Sequence, residues 1–175
     1  METTPPKTGK FGLVYGLILS AISVALGLIL YSQNLHYERG WAVNLVSVII
    51  MISVISIGIY QFKKANAGFL SLGQAMKVGL GIAVIAGIVG VLWQMVFMNV
   101  IEPDFMENVV ERSKVEMIQQ NPTLTDEQIA QGEKTIRMFT KPSVMAVMGL
   151  VASLFFGSII SLIAGLIMKK QNVQD

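Results

Sequence analysis

The stretch from Val144 to Met168 limits the fold more than any other part of the chain. Gly149, Ser153, Gly157, Ser161 and Gly165 recur every fourth residue within it, and no charged residue interrupts it. Leu, Ile, Phe, Val, Met and Ala fill almost every position between them. About 20 helical residues cross the hydrocarbon of a bilayer, so a run of this length and character reads as a membrane span. Helices in lipid gain little by hiding apolar surface from one another. Small residues that let two backbones approach must supply the cohesion instead. Residues four apart share one helix face, so the ladder reads as a docking seam.

Composition agrees. Of the 175 residues 53% are hydrophobic and 14% charged, and the mean hydropathy is +0.63; a soluble domain carries about a quarter charged residues. A net charge of +2 with no basic block gives no ground for a nucleic-acid partner. Without cysteine the chain has no disulfide, thiolate metal site or cysteine nucleophile. Its 11 methionines are scattered through spans and polar segment alike, which reads as adaptable packing.

Three further apolar runs precede the ladder. Residues 1–10 are polar and read as a short disordered tail. The first span covers about 11–31; it is too long for a signal-peptide core and shows no small-residue cleavage site, so an uncleaved anchor is expected. Gly12, Gly16 and Ser20, then Ser23 and Gly27, are its small positions. A polar link with the only histidine, His36, leads to a second span over about 41–62, rich in Val and Ile. β-Branched runs suggest strands in water, but a segment crossing lipid must satisfy its own backbone, so this one is helical. Lys63 to Lys77 reads as a loop, with a turn at Asn66-Ala67-Gly68 and a capping box of Ser71 with Gln74 that starts a helix near Leu72. The third span proper, about 78–101, carries Gly79, Ala83 and Gly87 at four-residue spacing, with Gly90 four beyond Ala86. That pattern makes it the partner expected for the fourth span, 143–168.

Residues 102–142 form the one sizeable polar segment, with five basic and eight acidic side chains. Pro103 suits a first helical turn, Asn121-Pro122 is a break, and Thr125 with Gln128 is a second capping box. The expected fold is therefore all-α: an integral membrane four-helix bundle with a helical hairpin insert between the third and fourth spans. Lys7, Lys10, Lys63, Lys64, Lys77, Lys169 and Lys170 fall on one side of that layout. The positive-inside tendency then predicts both tails, 1–10 and 169–175, in the cytoplasm and the insert outside.

Two stretches carry a family resemblance. Gly68-Phe69-Leu70-Ser71-Leu72-Gly73-Gln74-Ala75-Met76-Lys77-Val78-Gly79 and Asn99-Val100-Ile101-Glu102-Pro103-Asp104-Phe105 resemble the most recognisable segments of a family of small bacterial membrane proteins, domain of unknown function 4199. The order of spans and insert is similar over nearly the whole chain. The resemblance implies a topology and a bacterial inner-membrane address; it implies no reaction, substrate or catalytic residue.

Proton and ion carriers usually place an ionisable residue inside a span. No span here holds Asp, Glu, Lys, Arg or His away from its ends. Gln94 and Asn99 remain as possible polar contacts, either bonding between helices or touching a solute. His36, Glu38, Glu102 and Asp104 have the chemistry of a zinc or manganese set if the loops bring them together, and of ordinary solvated loops if they do not. The glycines of the third span follow no strand and precede no Gly-Lys-Ser/Thr, so they are not a phosphate loop. No serine stands in a nucleophile elbow. No catalytic, cofactor or metal residue is assigned. The reading that best fits is a non-catalytic accessory or scaffolding subunit. Its expected partners are the bilayer and either a second copy or another membrane protein. A small oligomeric transporter or channel for a neutral solute or ion is the alternative, and a membrane-surface metal-dependent enzyme comes third.

Overall fold

The computed structural model describes residues 6–37 and 40–170. Among them are six α-helices and no strand: α1 (Thr8–Ser32), α2 (Trp41–Ala65), α3 (Leu72–Val96), α4 (Phe105–Gln120), α5 (Asp126–Phe139) and α6 (Pro142–Met168). A π-helical turn, Phe97–Ile101, prolongs α3 into one apolar rod of 30 residues, Leu72–Ile101. That rod, α1, α2 and α6 are each long and apolar enough to cross a membrane.

The helix ends follow from local chemistry. At the end of α1 the Asn34 backbone turns left-handed (φ 56°), and the Leu35 and Asn34 amides return to the carbonyls of Leu30 and Tyr31. This is a Schellman closure, with asparagine in the place where glycine is commonest. Past α2 the backbone is left-handed at Ala67 (φ 53°) and again at Gly68 (φ 83°), whose amide bonds the Lys63 carbonyl at 2.9 Å. Glycine suits the second of these positions because it has no Cβ to clash. Ser71 and Gln74 exchange the reciprocal bonds of a capping box before α3, and Thr125 and Gln128 do the same before α5.

Three boundaries differ from the sequence reading. Thr8–Lys10, expected within a disordered tail, form the first turn of α1; Met1–Pro5 lie outside the described residues. Lys63–Ala65, expected in a loop, are the last turn of α2. Polar turns can protrude from the hydrocarbon without leaving the helix, and lysines at a helix C-terminus meet the negative end of its dipole. Lys170, expected in the second tail, pairs with Leu70 through two backbone hydrogen bonds of 2.9 and 3.0 Å; residues 171–175 lie outside the described residues.

The chain divides into two compact units, Met1–Gly90 with Leu150–Asp175, and Val91–Gly149. In the first, Ile55, Ile59, Phe62, Leu70, Val78 and Ile82 are fully buried. Apart from Leu70, its buried residues occupy only Gly12–Ser20 of α1, Val54–Phe62 of α2, Ala75–Ala83 of α3 and Gly157–Gly165 of α6. The remaining lengths of α1 and α2 turn Leu28, Ile29, Leu45 and Ile49 outward, as lipid-facing helices do. The core thus sits at one end of this unit, where α1 starts, α2 ends and Leu70 meets Lys170. In the second unit Val110 is buried, and α4 packs on α5 where the Met117 side chain lies over Gly132.

Candidate functional site

Helix α3 is the axis of the first unit, and its small residues explain how. Along α6 the pairs run antiparallel: Ala75 against Gly165, Gly79 against Ser161, Ala83 against Gly157 and Gly87 against Ser153. A methyl group at Gly157 would lie 2.5 Å from the Ala83 Cβ, and one at Gly165 would lie 2.8 Å from the Ala75 Cβ. At Gly79 it would overlap the Ser161 hydroxyl outright. Ser161 is fully buried and donates to the Gly157 carbonyl of its own helix. Ser153 instead donates across the interface to the Ala83 carbonyl, at 2.8 Å. Close backbones and a bond from side chain to neighbouring main chain are what hold helices together where no water drives them.

Gly90 and Gly149 depart from this pattern and correct their assignment to the seam. A methyl group on either would meet nothing within 4 Å, and both are exposed. Four-residue spacing fixes the face on which a residue sits, but not whether anything stands against it.

A second contact escaped the sequence reading. The α1 and α3 backbones touch at Gly12 and Gly81, where a methyl on Gly12 would lie 3.1 Å from the Gly81 Cα. Gly16 faces Ile85, and Gly58 of α2 faces Ile82 and Tyr15. Gly81 stands two residues from Gly79, about 200° round the helix. Glycines on two faces were the available signal that α3 has close neighbours on both sides.

Gln94 and Asn99 belong to the second unit. The Gln94 amide donates to the Met98 sulfur at 3.8 Å and that of Asn99 to the Met95 carbonyl at 2.7 Å, each within its own rod. Gln94 is half-buried and Asn99 exposed. His36, in the first unit, packs between the rings of Tyr31 and Tyr37, at 5.0 and 4.1 Å between centroids. Glu38 lies outside the described residues, and among those described no three of His, Asp and Glu come together as metal ligands.

The polar side chains of α4 and α5 form an ion-pair chain that sequence spacing could not reveal, because its members lie up to 30 residues apart. Arg137 donates to both Glu107 oxygens, at 2.9 and 2.8 Å, and through Nε to Glu133 at 3.1 Å. Glu133 also meets Lys114 at 3.3 Å. The Arg137 hydrogen bonds, before any other cause, hold the Glu107 and Glu133 carboxyls below their usual range; Lys114 adds to the second.

In the first unit, Lys7 and Lys10 border an open groove of about 480 Å³. Phe11, Val14 and Tyr15 of α1 line it, and Ala65 of α2 stands opposite.

Four helices long and apolar enough to cross a membrane, with α1, α3 and α6 packed closely at glycine, alanine and serine, define a helical membrane protein. The chain belongs to the family described as protein of unknown function (DUF4199), whose model matches residues 10–170. No curated protein and no solved structure matches it.

Proposed function

We propose that this chain is a non-catalytic accessory or scaffolding subunit of the bacterial inner membrane. Its four spans form the anchor, both termini lie in the cytoplasm, and α4 with α5 forms a helical hairpin insert presented outside. The observation that carries the reading is the construction of α4 and α5. Two polar helices are tied by Arg137 to Glu107 and Glu133, yet α5 leaves Met138 and Phe139 half exposed, at 51% and 50%. A cross-braced pair with apolar side chains turned out is suited to holding a partner. The spans carry no ionisable residue away from their ends, which a proton or ion pathway usually needs. The amides of Gln94 and Asn99 donate within their own rod, which gives the transporter alternative less support.

Purification of the full chain from native membranes in mild detergent tests this. The expected result is a defined complex, with a second copy or another membrane protein, that dissociates when Met138 and Phe139 are both replaced by Ser. A chain that runs as a lone monomer in every mild detergent overturns the proposal.

A further inference from the structure

The groove beside Lys7 and Lys10 has the polarity of a phospholipid, and we propose that it seats one anionic phospholipid of the adjoining leaflet. Lys10, Phe11, Val14 and Tyr15 are linked by steps of three and four and so share one face of α1, and Lys7, the residue that precedes its first turn, borders the same groove. Along that face the character changes in one direction, from two ammonium groups to a wall of aromatic and branched side chains. The Phe62 ring of α2 stands edge-on to Phe11, with centroids 5.4 Å apart, and fixes the wall in place. Every charged side chain lining the groove is a lysine, and Lys63 and Lys64 occupy the turn of α2 that ends at the opposite wall, Ala65.

A free phosphate would use the lysines and leave the wall bare. A neutral lipid or an apolar helix would use the wall and leave the lysines without a counter-charge. An amphiphile with an anionic head uses both, and it lies in the right direction, because α1 enters the apolar run just beyond Lys10. Lysine stems reach along apolar surface while their charged ends stay at headgroup level.

Native mass spectrometry of the full chain in detergent, with dioleoyl phosphatidylglycerol or dioleoyl phosphatidylcholine added, tests the proposal. The first phosphatidylglycerol should bind more tightly than later ones and than phosphatidylcholine. Lys7→Gln with Lys10→Gln, at exposed positions outside the core, should weaken that first site about tenfold or more and leave phosphatidylcholine binding unchanged. Val14→Trp keeps every charge but fills the groove, and should weaken the same site. Lys169→Gln with Lys170→Gln should leave it intact. Several outcomes overturn the proposal: no preference for phosphatidylglycerol, preference retained after either groove change, or equal loss on changing Lys169 and Lys170, which do not line the groove. Soluble glycerol phosphate binding as tightly as the lipid also overturns it, since the apolar wall would then have no part.

Discussion

Gly79 and Ser161 touch so closely that neither can grow without moving a helix. A methyl group on Gly79 would overlap the Ser161 hydroxyl and lie 2.6 Å from its Cβ. Both residues are buried, and no long flexible side chain is there to yield. Gly79→Ala should therefore destabilise the protein by about 1–3 kcal/mol, the usual cost of overpacking. Ser161→Gly added to it removes both obstructing atoms and should recover most of the loss. Gly157→Leu meets the Ala83 Cβ from the other helix and should destabilise more. Gly149→Ala is the control: with nothing within 4 Å of the new methyl, it should cost nothing and can gain up to about 1 kcal/mol from lower backbone freedom. Thermal melting in one detergent compares all four. A Gly79→Ala protein that melts with the parent would show that the close contact is absent. Ser153→Ala asks a narrower question, because it deletes one bond between helices without adding an atom. Its expected cost is about 0.6 kcal/mol, the average for a hydrogen bond between membrane helices.

At the scale of elements, α4 and α5 are the pair whose association should answer to pH. Glu107 and Glu133 hold their protons less tightly than usual because Arg137, and for Glu133 also Lys114, bonds the ionised form. A carboxyl with a depressed pKa stabilises the folded pairing above the ordinary carboxylate range, and loses that contribution as pH falls through the depressed value. Acid should therefore loosen α4 from α5, and so should high salt, since these groups are exposed and screened. The distance between a label on each helix measures this. Arg137→Gln should weaken the pairing at neutral pH and remove most of its response to acid. If neither acid nor that substitution changes the distance, the Met117 contact at Gly132 holds the helices unaided. The links from Arg137 to Glu107 and from Lys114 to Glu133 were invisible in the sequence, whereas other features of the same elements were plain. Thr125 and Gln128 announced the start of α5 because a capping box is local, three residues from end to end. The membrane helices were legible from unbroken apolar runs. The seam between α3 and α6 showed its face, since Gly157 and Ala83 recur at helical spacing, but not its extent, since nothing in the spacing of Gly90 and Gly149 says that a methyl group there would meet open space. The Gly12–Gly81 contact needed a comparison of two faces of one helix. The groove needed the structure, because Ala65 lines it together with Phe11 and Val14 although they lie 54 and 51 residues apart in the chain.

For the whole molecule, the charge distribution makes a prediction about sides that the packing alone does not. Lys7, Lys10, Lys63, Lys64, Lys77, Lys169 and Lys170 flank the spans in short segments, where positive charge resists translocation most strongly. In the first unit the start of α1, the end of α2 and the Leu70–Lys170 bridge already lie at the end that holds the core. The basic residues of 102–142 are outnumbered by acids and spread over a longer segment, where the rule weakens. The sign of the answer is nonetheless clear: Gly73 should face the cytoplasm and Thr123 the exterior. Because the chain has no cysteine, single cysteines at these exposed positions can be read without background. In intact cells a membrane-impermeant thiol reagent should label Thr123→Cys and spare Gly73→Cys until the cells are opened. Labelling of Gly73→Cys alone would invert the orientation. Labelling of both from one side would place the segment after Ile101 with the α2–α3 loop, and the rod Leu72–Ile101 could not then cross the bilayer once.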